Sequence, residues 1–223
     1  MHKHATHDSF HTLGQWVESS SVFCQALRQV NLPSREDYTI RRIFTRMTFL
    51  ASDRIELVPL DPADETHVEI YRQSRNAPEM RMTGGYGNCL THEQARDGID
   101  SRQDAENPSA LCAIRVAEDV VGWAGTFLHD PRARVAEVAY YVLPEYWGNG
   151  YASEATRLLV TFAFDELNAR RVEASVQADN PGSRRVLEKL DFQQEGTKRE
   201  AYYKDGEYKN ITLWSLLKTE FVT

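Results

Sequence analysis

The 223-residue chain predicts an α/β (α+β) domain, a mixed and mostly antiparallel central sheet flanked by helices. Three observations predict it. From Arg54 onward the periodicities run β-α-α-β-β-β-α-β-α-β-β, which is not a repeat of βαβ units. Residues 135–143 are nearly all apolar, as expected of a strand covered on both faces. Two charged turn signals, Glu118-Asp119 and Lys204-Asp205-Gly206-Glu207, read as tight hairpins.

Residues 54–60 alternate like a strand that Asp61-Pro62 breaks, and residues 63–75 follow as a helix. Gly84, Gly85 and Gly87 mark a loop over residues 76–90. Thr91 and Gln94 form a capping box for a polar helix over residues 91–106, stopped by Asn107-Pro108. Strands over residues 110–117 and 120–128 flank the first hairpin signal. Ala155, Leu158, Leu159, Phe162 and Ala163 recur at helical spacing after Gly150. Residues 171–177 read as a strand and residues 181–190 as a short helix, with Val186, Leu187 and Leu190 inward. Strands over residues 192–200 and 208–217 flank the second hairpin signal.

Residues 1–50 differ from this pattern and read as an N-terminal extension, disordered or partly helical, before a domain over residues 51–223. They hold six basic and four acidic side chains, whereas the rest holds 20 and 29, so the charge balance changes sign at the boundary. His2, His4, His7 and His11 are expected in a solvated tail rather than a metal site. Met47 precedes the first clear strand, and residues 1–46 are expected to be dispensable for folding.

A net charge of −7 disfavours nucleic acid and anionic lipid as partners. The three cysteines, Cys24, Cys89 and Cys112, are scattered and form no CxxC pair, so neither a zinc knuckle nor a disulfide scaffold is expected. No apolar run reaches the roughly 18 residues of a membrane span. The expectation is a soluble, cytoplasmic protein without metal, monomeric or homodimeric.

The chemistry centres on Tyr146-Trp147-Gly148-Asn149-Gly150-Tyr151-Ala152-Ser153-Glu154-Ala155. A glycine turn that opens a helix aims free N–H groups at one spot. It reads as a bland helix start, a nucleotide loop, or a pyrophosphate cradle of the coenzyme A type. The nucleotide reading is poor. Ser153 stands where a dinucleotide fingerprint needs glycine, and no Gly-Lys-Ser/Thr triplet occurs. In the cradle reading Gly150 lets the backbone approach the anion, Ala152 keeps the first turn slim, and the helix dipole favours negative charge.

Together with the order of elements, this segment resembles the GNAT family of acetyl-CoA-dependent N-acetyltransferases over about residues 53 to 218. Trp147-Gly148-Asn149-Gly150-Tyr151-Ala152 matches the family's Q/R-x-x-G-x-G/A motif, with tryptophan first as in the RimJ/RimL-like branch that acts on ribosomal-protein N-termini. Asn180-Pro181-Gly182-Ser183 through Lys189-Leu190-Asp191-Phe192, and then Glu195-Gly196, resemble that branch's N-x-x-S-…-K-x-G-F and E-G segments. Asp191 replaces a helix-ending glycine and is expected to take its left-handed conformation. Ala139 replaces the glycine of E-I-G-Y, and an acid that some relatives carry on the penultimate strand falls near Tyr202.

The resemblance implies transfer of an acetyl group from acetyl-CoA to a primary amine, with a protein N-terminal α-amine as the leading acceptor. Polyamines, amine-bearing antibiotics and a non-catalytic acyl-CoA sensor are the alternatives. An α-amine of pKa near 8 is about a tenth neutral at pH 7, and a lysine about one part in two thousand, so a base helps both. Glu137, the acid inside the apolar strand, is the first choice, acting through water with its pKa raised by burial; the other reading is a strand-end carboxylate paired with Arg132 or Arg134. The resemblance implies a backbone N–H on Tyr141-Val142-Leu143 as the carbonyl's donor. Ser183 is a candidate acid for the leaving sulfur, or an N-terminal helix cap. Trp147, Gly148, Asn149, Gly150, Tyr151, Ala152 and Ser153 would form the cradle, Asn180 would hold pantetheine amides or simply make a turn, and Arg184, Arg185 and Lys189 would reach phosphates or form a solvated helix face. Tyr202, Tyr203 and Tyr208 are left between sheet packing and substrate lining, and the loop at Gly84 is expected to shape the acceptor site.

Overall fold

The computed structural model describes residues 48–77, 89–102 and 109–221. Most of the expected N-terminal extension, the glycines at 84–87 and Asn107-Pro108 lie outside the described residues. The elements are β1 (Leu50–Ala51), β2 (Glu56–Pro59), α1 (Glu65–Asn76), α2 (His92–Asp100), β3 (Ser109–Val116), β4 (Asp119–Asp130), β5 (Val135–Val142), α3 (Tyr151–Asp165), β6 (Arg171–Gln177), α4 (Pro181–Glu188), β7 (Gln193–Lys204) and β8 (Glu207–Leu217). The expected order holds, with β1 added. At two residues it is too short to leave a periodic pattern.

Local chemistry sets the element ends. Asp64 caps α1 by accepting from the Thr66 and His67 N–H groups. Thr91 and Gln94 form the expected capping box of α2. That helix ends at Asp100 rather than at residue 106, because no apolar residue between Ile99 and Ala105 is available to bury another turn. Val116 pairs with Asp119, so the first hairpin turn is Ala117-Glu118, one residue earlier than expected, with Ala117 at φ 53°. The second is placed as expected: Asp205 (φ 50°) and Gly206 (φ 83°) join Lys204 to its partner Glu207. Asp191 does take a left-handed φ of 61°, which lets the Phe192 N–H return to the Leu187 carbonyl (3.0 Å) after α4.

The eight strands form one sheet in the order β1-β2-β3-β4-β5-β6-β8-β7. Every pairing is antiparallel except β5 with β6. Two apolar clusters cover the two faces of β5. Val138 and Val142 pack with Leu159, Phe162 and Leu187 on the α3–α4 side, while Tyr141 packs with Trp123, Tyr71 and Ile99 on the α1–α2 side. This is the two-sided burial expected of residues 135–143. Among the described residues no helix is long and apolar enough to cross a membrane.

His67 illustrates how α1 is fixed. It is 5% exposed, and its Nδ1 accepts from the Asp61 backbone N–H (3.0 Å). Burial pushes its pKa below the usual histidine value of 6.5, against the pull of Asp64 and Asp61. The folded protein therefore prefers neutral His67. This preference contributes fully above the unfolded pKa of about 6.5 and is lost as pH falls towards the lower folded value. Urea unfolding at pH 7.5, 6 and 5 should show wild-type stability falling with a slope of up to about 1.4 kcal/mol per pH unit below pH 6.5. The His67→Asn variant, which keeps an acceptor but cannot ionise, should show a flatter profile.

Candidate active site

The sheet opens between β5 and β6. The two strands pair at Val135–Arg171, Ala136–Val172 and Glu137–Glu173, and then stop pairing although β5 runs on to Val142 and β6 to Gln177. Below the opening the strands are tied together: the Arg170 N–H donates to the Arg134 carbonyl (2.8 Å), and Arg134 Nε to the Asn168 carbonyl (3.0 Å). Antiparallel strands alternate which neighbour their backbone faces. The Leu143 N–H donates to Val121 on the β4 side (2.9 Å), so the backbone groups of Val138, Tyr140 and Val142 face the opening. Of the expected trio Tyr141-Val142-Leu143, the N–H directed into the opening is therefore that of Val142.

The glycine turn stands at the end of β5. Gly148 (φ 81°) and Gly150 (φ 85°) both lie in the left-handed region, and Gly150 is the residue from which α3 starts. A Cβ on Gly150 would find nothing closer than Arg54 Nη2 at 3.6 Å, so conformation rather than space requires glycine there. Trp147 Nε1 donates to the Val142 carbonyl (2.7 Å), fastening the turn to the strand. Asn149 Nδ2 donates to the Tyr146 carbonyl (3.0 Å), so its side chain folds the turn and does not line the cavity. Arg54, before β2, braces the turn from behind. Its Nη1 donates to the Asn149 carbonyl (3.1 Å), its guanidinium lies 5.7 Å from the Tyr151 ring centre, and it pairs with Glu154 in the first turn of α3. Ser52 also holds Glu154.

Asn180 caps α4. Its Oδ1 accepts from the Ser183 N–H (3.0 Å) and its Nδ2 donates to Ser183 Oγ (3.1 Å). The cap is Asn180, not Ser183, and the Ser183 hydroxyl keeps its proton to donate elsewhere. Tyr140 Oη donates to the Ser183 carbonyl (3.2 Å), tying β5 to α4, and burial pushes the phenol up to about 12.

These parts enclose one cavity of about 1140 Å³. Tyr140, Tyr141 and Val142 line it from β5, Trp147, Gly148, Gly150, Tyr151, Ala152 and Ser153 from the glycine turn, and Asn180, Ser183, Arg185 and Lys189 from α4. The tip of the β7–β8 hairpin adds Lys204, Asp205 and Lys209. Four cations thus face a cavity with two carboxylates, Asp179 and Asp205, in a chain of net charge −7. Burial lowers the Lys204 pKa, whereas the hydrogen bond to Glu207 raises that of Lys209.

Other expected residues lie elsewhere. Arg184 does not line the cavity; its guanidinium lies 3.9 Å from Glu188, one turn along α4. Leu143 and Glu137 do not line it either. Glu137 is half-buried beside Glu173, and neither Arg132 nor Arg134 is paired with it. Tyr203 and Tyr208 form an exposed pair of rings 5.1 Å apart, outside the lining. Sequence reasoning missed Tyr140, Asp179 and the hairpin lysines, and gave Tyr146 no role within its segment. The two lysines flanking a sequence-evident turn were a usable signal. Arg54 had none, since it meets Glu154 across a hundred residues.

An acetyltransferase (GNAT) domain model matches residues 54–193. The "Uncharacterized N-acetyltransferase p20" of Bacillus licheniformis is 36% identical over 179 residues, covering 78% of this chain and 99% of that protein. The "Putative ribosomal N-acetyltransferase YdaF" of Bacillus subtilis is 38% identical over 88 residues, covering 40% of this chain and 48% of that protein. The structure of RimL, a ribosomal L7/L12 α-N-protein acetyltransferase in complex with coenzyme A, has the same fold with a TM-score of 0.67 at 20% identity, covering 76% of this chain and 97% of that one. The opened sheet, the glycine turn and these matches agree, and the chain belongs to the GNAT family of acetyl-CoA-dependent N-acetyltransferases.

Proposed function

We propose that the protein transfers the acetyl group of acetyl-CoA to the α-amine of protein N-termini. The observation that carries the reading is the convergence of two helix N-termini, an open strand edge and four cations on one cavity. Each part suits a segment of coenzyme A. The N–H groups at the start of α3 suit the pyrophosphate, Arg185 and Lys189 suit phosphate charge, and the Tyr140 backbone suits a pantetheine amide. The likeness to YdaF supports a protein acceptor.

The residues then divide the work. The Val142 N–H faces the opening and is the donor for a thioester carbonyl as charge develops on it. Ser183, whose Oγ already accepts from Asn180, hands its proton to the departing thiolate. Tyr140 holds Ser183 in place. A thiol of pKa near 8.5 is a good leaving group, so the acid is a modest aid.

A thiol-release assay with acetyl-CoA, run on peptides with free or blocked N-termini and on spermidine, tests the reading. Turnover confined to free N-termini is expected. Preference for spermidine, or tight CoA binding without turnover, would refute it. Ser183→Ala should lower kcat about tenfold at pH 7 and leave CoA affinity unchanged. Gly150→Ala should destabilise the fold by about 1 kcal/mol, because φ 85° strains any Cβ, and should weaken CoA binding in calorimetry about tenfold.

A further inference from the structure

We propose that Asp179 is the carboxylate that takes the proton from the attacking amine, and that Tyr202 positions it. The proposal rests on the acetyl-transfer reading above and assigns the base within that site. Asp179 and Asp205 are the carboxylates that line the cavity among the described residues, and Glu137 does not reach it. Asp205 sits at the hairpin tip between the two lysines of the turn, whereas Asp179 lies at the mouth of the opening, just past the end of β6. It leaves β6 two residues after Gln177, directly before the Asn180 cap that holds Ser183. The Ala178 N–H donates to the Asn210 carbonyl (3.0 Å) and keeps this turn against β8.

Tyr202 Oη donates to Asp179 Oδ1 (3.1 Å). One carboxylate oxygen is thereby anchored and the other is left to the cavity. Tyr202 pairs with Lys209 in the β7–β8 ladder, so the hairpin fixes the phenol's position. Burial, Asp179 and Asp205 push the Tyr202 phenol up to about 12, which keeps its proton in place throughout the working range. The charged groups around the pair are Asp205, Lys204 and Lys209 from the hairpin, and Arg185 and Lys189 from α4.

The step balances without a further reactant. The amine lone pair forms the C–N bond to the acetyl carbon, and the C–S bond breaks with its electrons on sulfur. Once bonded to carbon the nitrogen is strongly acidic, so an ordinary carboxylate accepts its proton. Asp179 takes that proton and later releases it to water, while Ser183 supplies the sulfur's and regains its own from water, so the net transfer is from nitrogen to sulfur. Base and acid are four residues apart on one turn, so the geometry of α4's first turn sets both.

The test compares wild type with Asp179→Asn, Tyr202→Phe and Glu137→Gln, reading kcat against pH and CoA affinity by calorimetry. Asp179→Asn should lower kcat about 100-fold at pH 7, recover relative to wild type as pH rises and hydroxide takes over the proton, and leave CoA affinity unchanged. Tyr202→Phe should lower kcat about tenfold with the same pH trend, and Glu137→Gln should stay within twofold. An Asp179→Asn enzyme within twofold of wild type would overturn the proposal. So would a loss carried by Glu137→Gln, or a loss in Asp179→Asn that is independent of pH or matched by lost CoA affinity. Wild type that binds CoA but turns over no amine would refute the acetyl-transfer reading itself, which is a separate result.

Discussion

The structure depends on a parallel pair of strands that is allowed to come apart. β5 and β6 share three residue pairs and then separate, although both continue. Unpaired backbone inside a sheet is costly unless something else satisfies it. The opening therefore has to be held at its root and used at its mouth. At the root, the Arg170 N–H donates to the Arg134 carbonyl and the Arg134 side chain donates to the Asn168 carbonyl, and Arg171 pairs with Glu173 and Glu195 across β6, β8 and β7. At the mouth, Trp147 takes the Val142 carbonyl and leaves neighbouring backbone groups directed at the cavity.

The charge arrangement follows from the opening. An anion at the start of α3 would meet Glu154 within the same helical turn. Arg54 and Ser52 hold that carboxylate, and Arg54 also holds the Asn149 carbonyl, whose peptide leads into Gly150. A surface ion pair of this kind adds little stability, and Arg54 is about half exposed. Its consequence lies in orientation, since it fixes the turn from which the N–H groups point. On the far side, the hairpin tip brings Lys204 and Lys209 to the same cavity, so an acidic protein presents a cationic pocket.

The strand and helix order, the hairpin turn at Asp205-Gly206 and the left-handed Asp191 were legible because each depends on residues close in sequence. The glycine turn was legible for the same reason, since Gly148 and Gly150 to Ser153, which line the cavity, belong to one continuous segment. Roles that depend on distant contacts were not. Glu137 stood out as an acid in an apolar strand, yet its position at the last β5–β6 pair puts it below the opening. Asp179 carried no signal of its own in the sequence, because its bond to Tyr202 spans more than twenty positions. Asn180, and not Ser183, caps α4, because which of two polar residues caps a helix is decided by where the first turn begins.

The central claim is that the parted strands and the two helix starts form a coenzyme A site, and a crystal structure of the protein with CoA tests it most directly. The account predicts the pyrophosphate on the N–H groups from Gly150 to Ala152, the pantetheine between β5 and β6 on the Tyr140 backbone, and the sulfur beside Ser183. CoA bound elsewhere, or β5 and β6 closed into a continuous pair with the cofactor absent, would contradict it.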